Sequence, residues 1–428
     1  MRILLAHNSL YYPSFGGGDK SNRLLMEAFA ARGHAVRVVA RVEKFGSDAH
    51  DRLLSELASR GVMVDAAGHS NIRFRLNGVD VRVLTCDPLL RAFFDAQVRD
   101  YDPQVILTST DDPGQLLLHR ALQAHRARVV YLVRAIIGLP FGPDSPFTND
   151  AKTATIRRAD GVVAVSEKVA EYTRHWGSMD AVHFPISLLD PGEPPWVGRF
   201  DNRFVTMVNP CAVKGISIFT GLAGRFPQTE FAAVPTWGTT AADIAALKML
   251  PNITILPPVD DVHEFMAQTR IALVPSLWAE ARSRIILEAM VRGIPVIASD
   301  VGGLKEAKLG VDYLLPVKPV VRYQSRVDDL MVPIAEIPEQ DLTVWQATLH
   351  RLVTDRAHYE QLSAESRQAA LEYAKELNVL RFEAYLEKLI RSPVHRGRNA
   401  AVTPREPLSA DRRKLLTLRL KQKARDDA

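Results

Sequence analysis

The stretch EARSRIILE, from Glu280 to Glu288, puts two carboxylates eight residues apart where a helix is expected to enter the apolar run IILEAMVRGIPVIAS. On a continuous helix that spacing is a rise of about 12 Å and a turn of about 80° beyond two full turns. The paired carboxyls of a glycoside hydrolase stand only roughly 5 to 9.5 Å apart. An acid and a base working on one bond is therefore not what the spacing supports. Two anchors gripping opposite ends of an elongated, hydroxyl-rich ligand fit it better. Glu288 sits among Ile285, Ile286, Leu287, Ala289 and Met290. A carboxylate in such surroundings is costly unless hydrogen-bonded, which favours a ligand-holding role over a solvated helix face.

Other segments could serve the same ligand. Gly16, Gly17 and Gly18 lie between an opening strand, RILLA, and a helix, DKSNRLLMEAFAARG. Glycines there let backbone amides approach an anion, although Asp19 directly after them counts against a tightly held phosphate. In MVNPCAVKGISIF, Lys214 and a glycine follow a strand and open a helix, a placement that can bring an ammonium to a diphosphate. After GIPVIAS, a strand entered through a glycine, DVGGLKE supplies another glycine turn.

These segments need a scaffold of strands. The apolar runs RILLA, HAVRVVA, VRVL, QVILTS, RVVYLV and GVVAVS alternate with helix-like stretches, and RFVTMVN, TEFAAV, ITIL, IALVPS, PVIAS and DYLLP repeat the pattern. Such alternation predicts α/β architecture: two Rossmann-like, doubly wound parallel-sheet domains facing a cleft, with ligand at the carboxyl ends of the strands. The expected divisions are an amino-terminal domain over 1–190, a Pro/Gly-rich linker over 191–202, a second domain with terminal helices over 203–391, and a basic flexible tail over 392–428.

Composition excludes several classes. The chain has 428 residues and a net charge of +5. Ten Lys/Arg against four Asp/Glu lie after residue 391, so the tail alone accounts for the basic character and a nucleic-acid-binding core is not expected. Cys86 and Cys211 form no metal or redox motif, which suits a reducing, cytoplasmic setting. No apolar run reaches the roughly 20 residues of a membrane span, leaving at most peripheral membrane contact. GxGxxG and an acidic partner are missing, which disfavours a dinucleotide oxidoreductase.

PSLWAEARSRIILEAMVRGIPVIASDVGGLKE resembles the E-x7-E signature of the retaining, nucleotide-sugar-dependent glycosyltransferases of GT-B fold (family 4-like, group 1). FGGG, ARGHAV, SEKVAEYTRHWG, VNPCAVKG and VPSLW fall where that family has its corresponding elements, and the resemblance spans about residues 1 to 390. It implies a hexosyltransferase in which Glu288 binds the donor ribose, Glu280 holds the transferred sugar, Lys214 neutralises the diphosphate, the Gly16–Gly18 loop approaches from the other domain, and Pro257 and Val259 lie against the base. Arg282, Ser283, Arg284 and Ile285, between the glutamates, would line the donor and carry its preference. It also implies retention by front-face attack, no metal and no other cofactor, with a UDP-sugar favoured and GDP- or dTDP-sugar as alternatives. The acceptor would be a hydroxyl of a small molecule, a specialised metabolite or a glycan.

The chain departs from the family pattern at Asn209, at Ala281-Arg282-Ser283, where members carry GFG, and at Arg134. Asn209 stands where members carry an Arg, so Arg282 or Arg284 is expected to supply the missing cation or to reshape the sugar pocket. Arg134 stands near a usual His and is either a sugar or acceptor contact or a structural ion-pair partner. Asp111 and Asp112, after VILTST, face the acceptor or cap the next helix. The tail segment LSADRRKLLTLRLKQKA is similar to the linkers that precede condensation domains in nonribosomal peptide synthesis, suggesting an assembly-line partner in natural product biosynthesis; a disordered basic tail or a membrane-surface helix reads the same residues as well. A nucleotide-sugar epimerase of the same fold and a non-catalytic assembly partner are the competing functions.

Overall fold

The computed structural model describes residues 1–42, 48–86 and 89–392. The tail segment singled out above lies outside them, as does nearly all of 392–428. Nine strands form the first sheet: β1 (Arg2–Ala6), β2 (Ala35–Arg41), β3 (Val64–Ala67), β4 (Asn71–Leu76), β5 (Val79–Leu84), β6 (Val105–Ser109), β7 (Arg128–Val133), β8 (Gly161–Ala164) and β9 (Ala181–His183). Their order is β3-β4-β5-β2-β1-β6-β7-β8-β9. Pairing is parallel except around β4, which runs antiparallel to both β3 and β5. Successive residues of β1 feed different cores: Ile3 and Leu5 join one cluster with Phe29, Leu4 and Ala6 another with Phe94. A strand buried on both faces reads as a continuous apolar run, which is why RILLA was legible.

The second sheet is wholly parallel: β10 (Phe204–Val208), β11 (Glu230–Val234), β12 (Ile253–Ile255), β13 (Thr269–Val274), β14 (Val296–Ser299) and β15 (Leu314–Leu315), in the order β12-β11-β10-β13-β14-β15. In both sheets the order reverses beside the first strand, between β1 and β6 and between β10 and β13. Ligands of doubly wound sheets bind where the order reverses, at the carboxyl ends of the strands. An antiparallel hairpin, β16 (Arg322–Val327) with β17 (Pro333–Glu336), is an addition the sequence did not signal.

Three helices follow the second sheet: Thr343–Thr354, Arg356–Ala374 and Leu380–Arg391. The first two bury Trp345, Leu349, Tyr359 and Leu362 with Phe219 and Leu222, in the second domain. The third differs from the expectation that 203–391 is one domain. Its Phe382 and Leu386 belong to the core of the first sheet, with Phe29 and Phe184 nearby, and Glu383 pairs with Arg32 (2.5 Å) and His34 (2.7 Å). Amphipathic periodicity shows that a helix buries one face but not which domain receives it.

Candidate active site

Lys214 and Glu280 meet where the second sheet reverses order. Lys214 ends a short 3-10 turn, Ala212–Lys214, after β10, and Glu280 lies in the loop after β13. The Lys214 ammonium donates to Glu280 Oε1 at 2.5 Å, and Ser276 Oγ donates to the same oxygen at 2.6 Å. Gly215 makes the approach possible: it has φ of +83°, and a Cβ there would overlap the Pro275 carbonyl. Burial alone would raise the Glu280 carboxyl. The Lys214 charge, the hydrogen bonds from Lys214 and Ser276 and the nearby Trp278 indole outweigh it and hold the group below the usual carboxylate range. Lys214 Nζ also stands 4.8 Å from the centre of the Trp278 ring, and Trp237 packs against Trp278 at 6.0 Å. A small void of about 30 Å³ is lined by Lys214, Ser276, Ser283 and Ile285 among others.

The helix expected through both glutamates begins only at Arg284 and runs to Met290. Glu280 therefore sits in an irregular loop, and the helical separation does not describe the pair. Gly302 and Gly303 shape that loop. Gly303 donates its N–H to the Glu280 carbonyl at 2.7 Å, and a Cβ on Gly302, at φ of +54°, would lie 2.5 Å from Glu280 backbone atoms. From the first domain, Ser166 Oγ donates to the Ala281 carbonyl at 2.7 Å, and Ala281 packs into that domain's core. Glu288 is buried and accepts from Arg284 Nε at 2.6 Å, while Arg284 Nη1 donates to the Leu188 carbonyl. Neither carboxylate is free; each is matched to one cation.

Arg282 is not a spare cation. It pairs with Glu306 at 2.7 Å and lies over the Tyr373 ring at 4.2 Å, lining a separate polar pocket with His183 and Arg381. Asn209 is buried at φ of +57°, and its Oδ1 accepts from Gly238 N at 3.0 Å, which holds the loop bearing Trp237. Pro257 is exposed and Val259 half-buried, in a loop whose next residue, Asp260, was overlooked. Asp260 accepts from Ser14 N (2.8 Å) and Arg23 Nη2 (3.0 and 3.2 Å), and its carbonyl accepts from Lys20 Nζ at 2.8 Å. That loop is thus fastened to the first domain beside the glycines.

The Gly16–Gly18 loop opens the helix Gly17–Ala31, and a Cβ on Gly17 would stand 3.6 Å from Arg284 Cβ. The loop thus meets the Glu280–Glu288 segment directly. Asp19 turns instead to Ser9 Oγ (2.5 Å) and His7 Nε2 (3.3 Å). His7, fully buried after β1, holds Asp111 Oδ2 through Nδ1 at 2.8 Å. Burial would lower the imidazole, but the hydrogen bonds and charges of Asp111 and Asp19 prevail and push it up to about 10. Asp111 also accepts from Asn8 N at 2.9 Å and from Ser109 Oγ. Its carboxylate is thus engaged by His7, Asn8 and Ser109 within the first domain. Asp112 does the capping, accepting Leu117 N at 2.7 Å. No local sequence pattern marks His7 because both its carboxylate partners, Asp19 and Asp111, arrive through tertiary folding. Arg134, after β7, donates from Nε to Asn22 Oδ1 at 3.0 Å, and its two terminal nitrogens are buried without partners.

Among the described residues no group of three or more His, Cys, Asp or Glu is disposed to hold a metal, and no helix is long and apolar enough to cross a membrane.

The family model for a glycosyl transferase 4-like domain matches residues 16–186, and that for glycosyl transferases group 1 matches residues 223–331. An uncharacterized 42.6 kDa protein in the cps region of Klebsiella pneumoniae is 21% identical over 72% of this chain and 87% of its own length. The structure of sucrose-phosphate synthase from Thermosynechococcus elongatus aligns with a TM-score of 0.62 at 18% identity, over 91% of this chain and 98% of that one. An S. aureus TarM variant in complex with fondaparinux, alpha-GlcNAc-glycerol and UDP gives 0.64 at 9% identity, over 91% and 100%. Anabaena HepE in complex with UDP-glucose gives 0.60 at 15% identity, over 90% and 98%. Matched by transferase models in both domains and folded like these proteins over nine-tenths of its length, the chain belongs among the glycosyltransferases of GT-B fold.

Proposed function

We propose that this protein transfers a hexose-type sugar from a nucleotide diphosphate sugar, a UDP-sugar favoured, to a hydroxyl of a glycan or small-molecule acceptor, with retention at the anomeric carbon and without a metal. The observation that carries this reading is the Lys214–Glu280 contact at the order reversal of the second sheet, in the same segment whose Arg284 the glycine loop of the first approaches. UDP-glucose bound to HepE and UDP bound to TarM support the choice of donor.

Glu280, ionised and acceptor-only, takes hydrogen bonds from hydroxyls of the sugar and gives up no proton itself. Lys214 is shared between Glu280 and the diphosphate, whose charge grows as the glycosidic bond breaks. A fixed cation matched to developing charge lowers the barrier without reorganising at the moment of reaction. Glu288, whose Oε1 is held by Arg284, turns its second oxygen to the ribose hydroxyls. The departing phosphate oxygen receives the acceptor proton on the face of attack, so no side chain is needed as base.

Release of nucleotide diphosphate together with a glycosylated acceptor tests the reading. Interconversion of two nucleotide sugars without that release would identify an epimerase instead. Full activity in Glu280→Gln would point to a non-catalytic role for the site.

A further inference from the structure

Arg134 presents an incomplete set of bonds. Only Nε is engaged, with Asn22, while Nη1 and Nη2 are shielded from solvent and have no hydrogen-bond partner. A guanidinium stripped of water without replacement partners is costly to keep. Arg284 shows the same deficit at one corner: its side chain is 7% exposed, Nε and Nη1 are taken, and Nη2 is buried and unpartnered. The two side chains belong to opposite domains and meet at one helix: Arg134 rests on Asn22 of Gly17–Ala31, and a Cβ on Gly17 at the head of that helix would stand 3.6 Å from Arg284 Cβ. Burial first, and then the Arg284 charge, push Arg134 down to about 10 against the pull of Asp111, so it stays cationic at neutral pH. Lys214, Arg282 and Arg23, by contrast, each have a carboxylate partner within 3.0 Å.

We propose that Arg134 and Arg284 together form a receptor for one oxyanion of the donor, either its diphosphate or a carboxylate carried by its sugar, and that this anion bridges the two domains. The proposal rests on the nucleotide-sugar reading of the site and adds a substrate-recognising pair to it. A guanidinium with both terminal nitrogens unspent matches two oxygens of one carboxylate or phosphate, and neighbouring like charges are relieved by a shared counter-ion. The bound anion would leave the Arg284–Glu288 contact through Nε in place.

Calorimetric titration of the full chain with UDP, UDP-glucose and UDP-glucuronate, or the equivalent set on whichever base the wild type binds, tests it. Arg134→Gln should weaken binding by roughly 10- to 100-fold. If the diphosphate is the anion, all three ligands weaken alike. If a sugar carboxylate is, only the glucuronate ligand weakens. Arg134→Lys, which keeps the charge but loses the fork, should recover only part of the affinity. An Arg134→Gln protein that melts like the wild type without ligand and binds all three ligands unchanged overturns the proposal. Should that variant fail to fold, Arg134→Lys decides: weaker binding of any of the three ligands supports the site, and binding unchanged from the wild type overturns it. A wild type that binds no nucleotide sugar at all would instead count against the donor reading on which the proposal stands.

Discussion

His7 Nδ1 and Asp111 Oδ2 stand 2.8 Å apart, on the loops leaving the two strands between which the first sheet reverses its order. The pair sits in the first domain as Lys214–Glu280 sits in the second. His7 is raised above its ordinary 6.5 to about 10. A group raised in this way contributes stability fully below its unfolded value and loses it as pH climbs through the folded one. The stability gap between wild type and His7→Gln, read from thermal melts, should therefore be widest near pH 6, at about 3 kcal/mol. It should narrow as pH approaches 10. Asp111, held below its ordinary 3.8 by His7 against burial, sets the acid limit. Paired thermal melts from pH 4 to pH 10 check this; a constant gap would show that the ion pair is not what the variant removes.

Lys214→Ala removes the cation proposed above to face the leaving diphosphate. A loss in kcat of about 100- to 1,000-fold is expected, in line with removal of one preorganised electrostatic donor. It also leaves Glu280, 7% exposed at its side chain, without its charge partner. The fold should therefore be checked by melting before the rate is interpreted. Glu280→Gln is the milder probe, expected to lower kcat while keeping the Ser276 contact.

Gly302→Ala tests the loop without touching any ligand-facing group. Its Cβ would meet Glu280 backbone atoms at 2.5 Å, in a backbone conformation that alanine adopts poorly. The expected result is a folded protein with Glu280 displaced and kcat/KM down about 100-fold, the usual scale for a misplacement of about 1 Å. Normal activity would mean that the loop position does not matter for turnover.

Asp260→Ala releases the loop expected to lie against the nucleobase from Ser14 and Arg23. KM for the donor should rise several-fold with little change in kcat, and stability should fall by about 2 kcal/mol, since a largely buried arginine loses the nearer of its two carboxylate partners. Steady-state kinetics separates this from damage to the chemistry: an unchanged KM would show that the cross-domain tie does not order the donor site.

Much of this arrangement was legible in the sequence because parallel strands buried on both faces leave uninterrupted apolar runs, and all six runs of the second sheet fall on strands. Lys214 and Glu280 were legible as polar residues at the ends of those runs. The state of Glu280 was not, because a helix was expected through it, and the two glycines that bend its loop lie about twenty residues further on. His7, Asp260 and Ser166 were missed for a related reason: each acquires its role from a partner brought close only by the fold, over sequence separations no local pattern records. Arg282 and Arg284 are two residues apart and alike in type, yet one pairs with Glu306 and the other with Glu288. Residues two apart on a chain entering a helix point in different directions, and composition cannot say which of them meets the ligand.

The last helix, Leu380–Arg391, gives the molecule its mechanics. Because its core contacts are with the first domain, the chain crosses between domains twice, at the linker after Ile186 and again after Ala374. Leu188, Leu189 and Pro191 from one crossing and Ala374, Lys375 and Leu377 from the other line a single groove of about 700 Å³. One covalent strand would make a swivel, free to rotate about any axis. Two strands side by side make a leaf hinge, which keeps one axis of opening and resists twist. The glycine loop would then return to the same edge of Arg284 on every closure, so the two halves of the site meet in register before any donor anion bridges them.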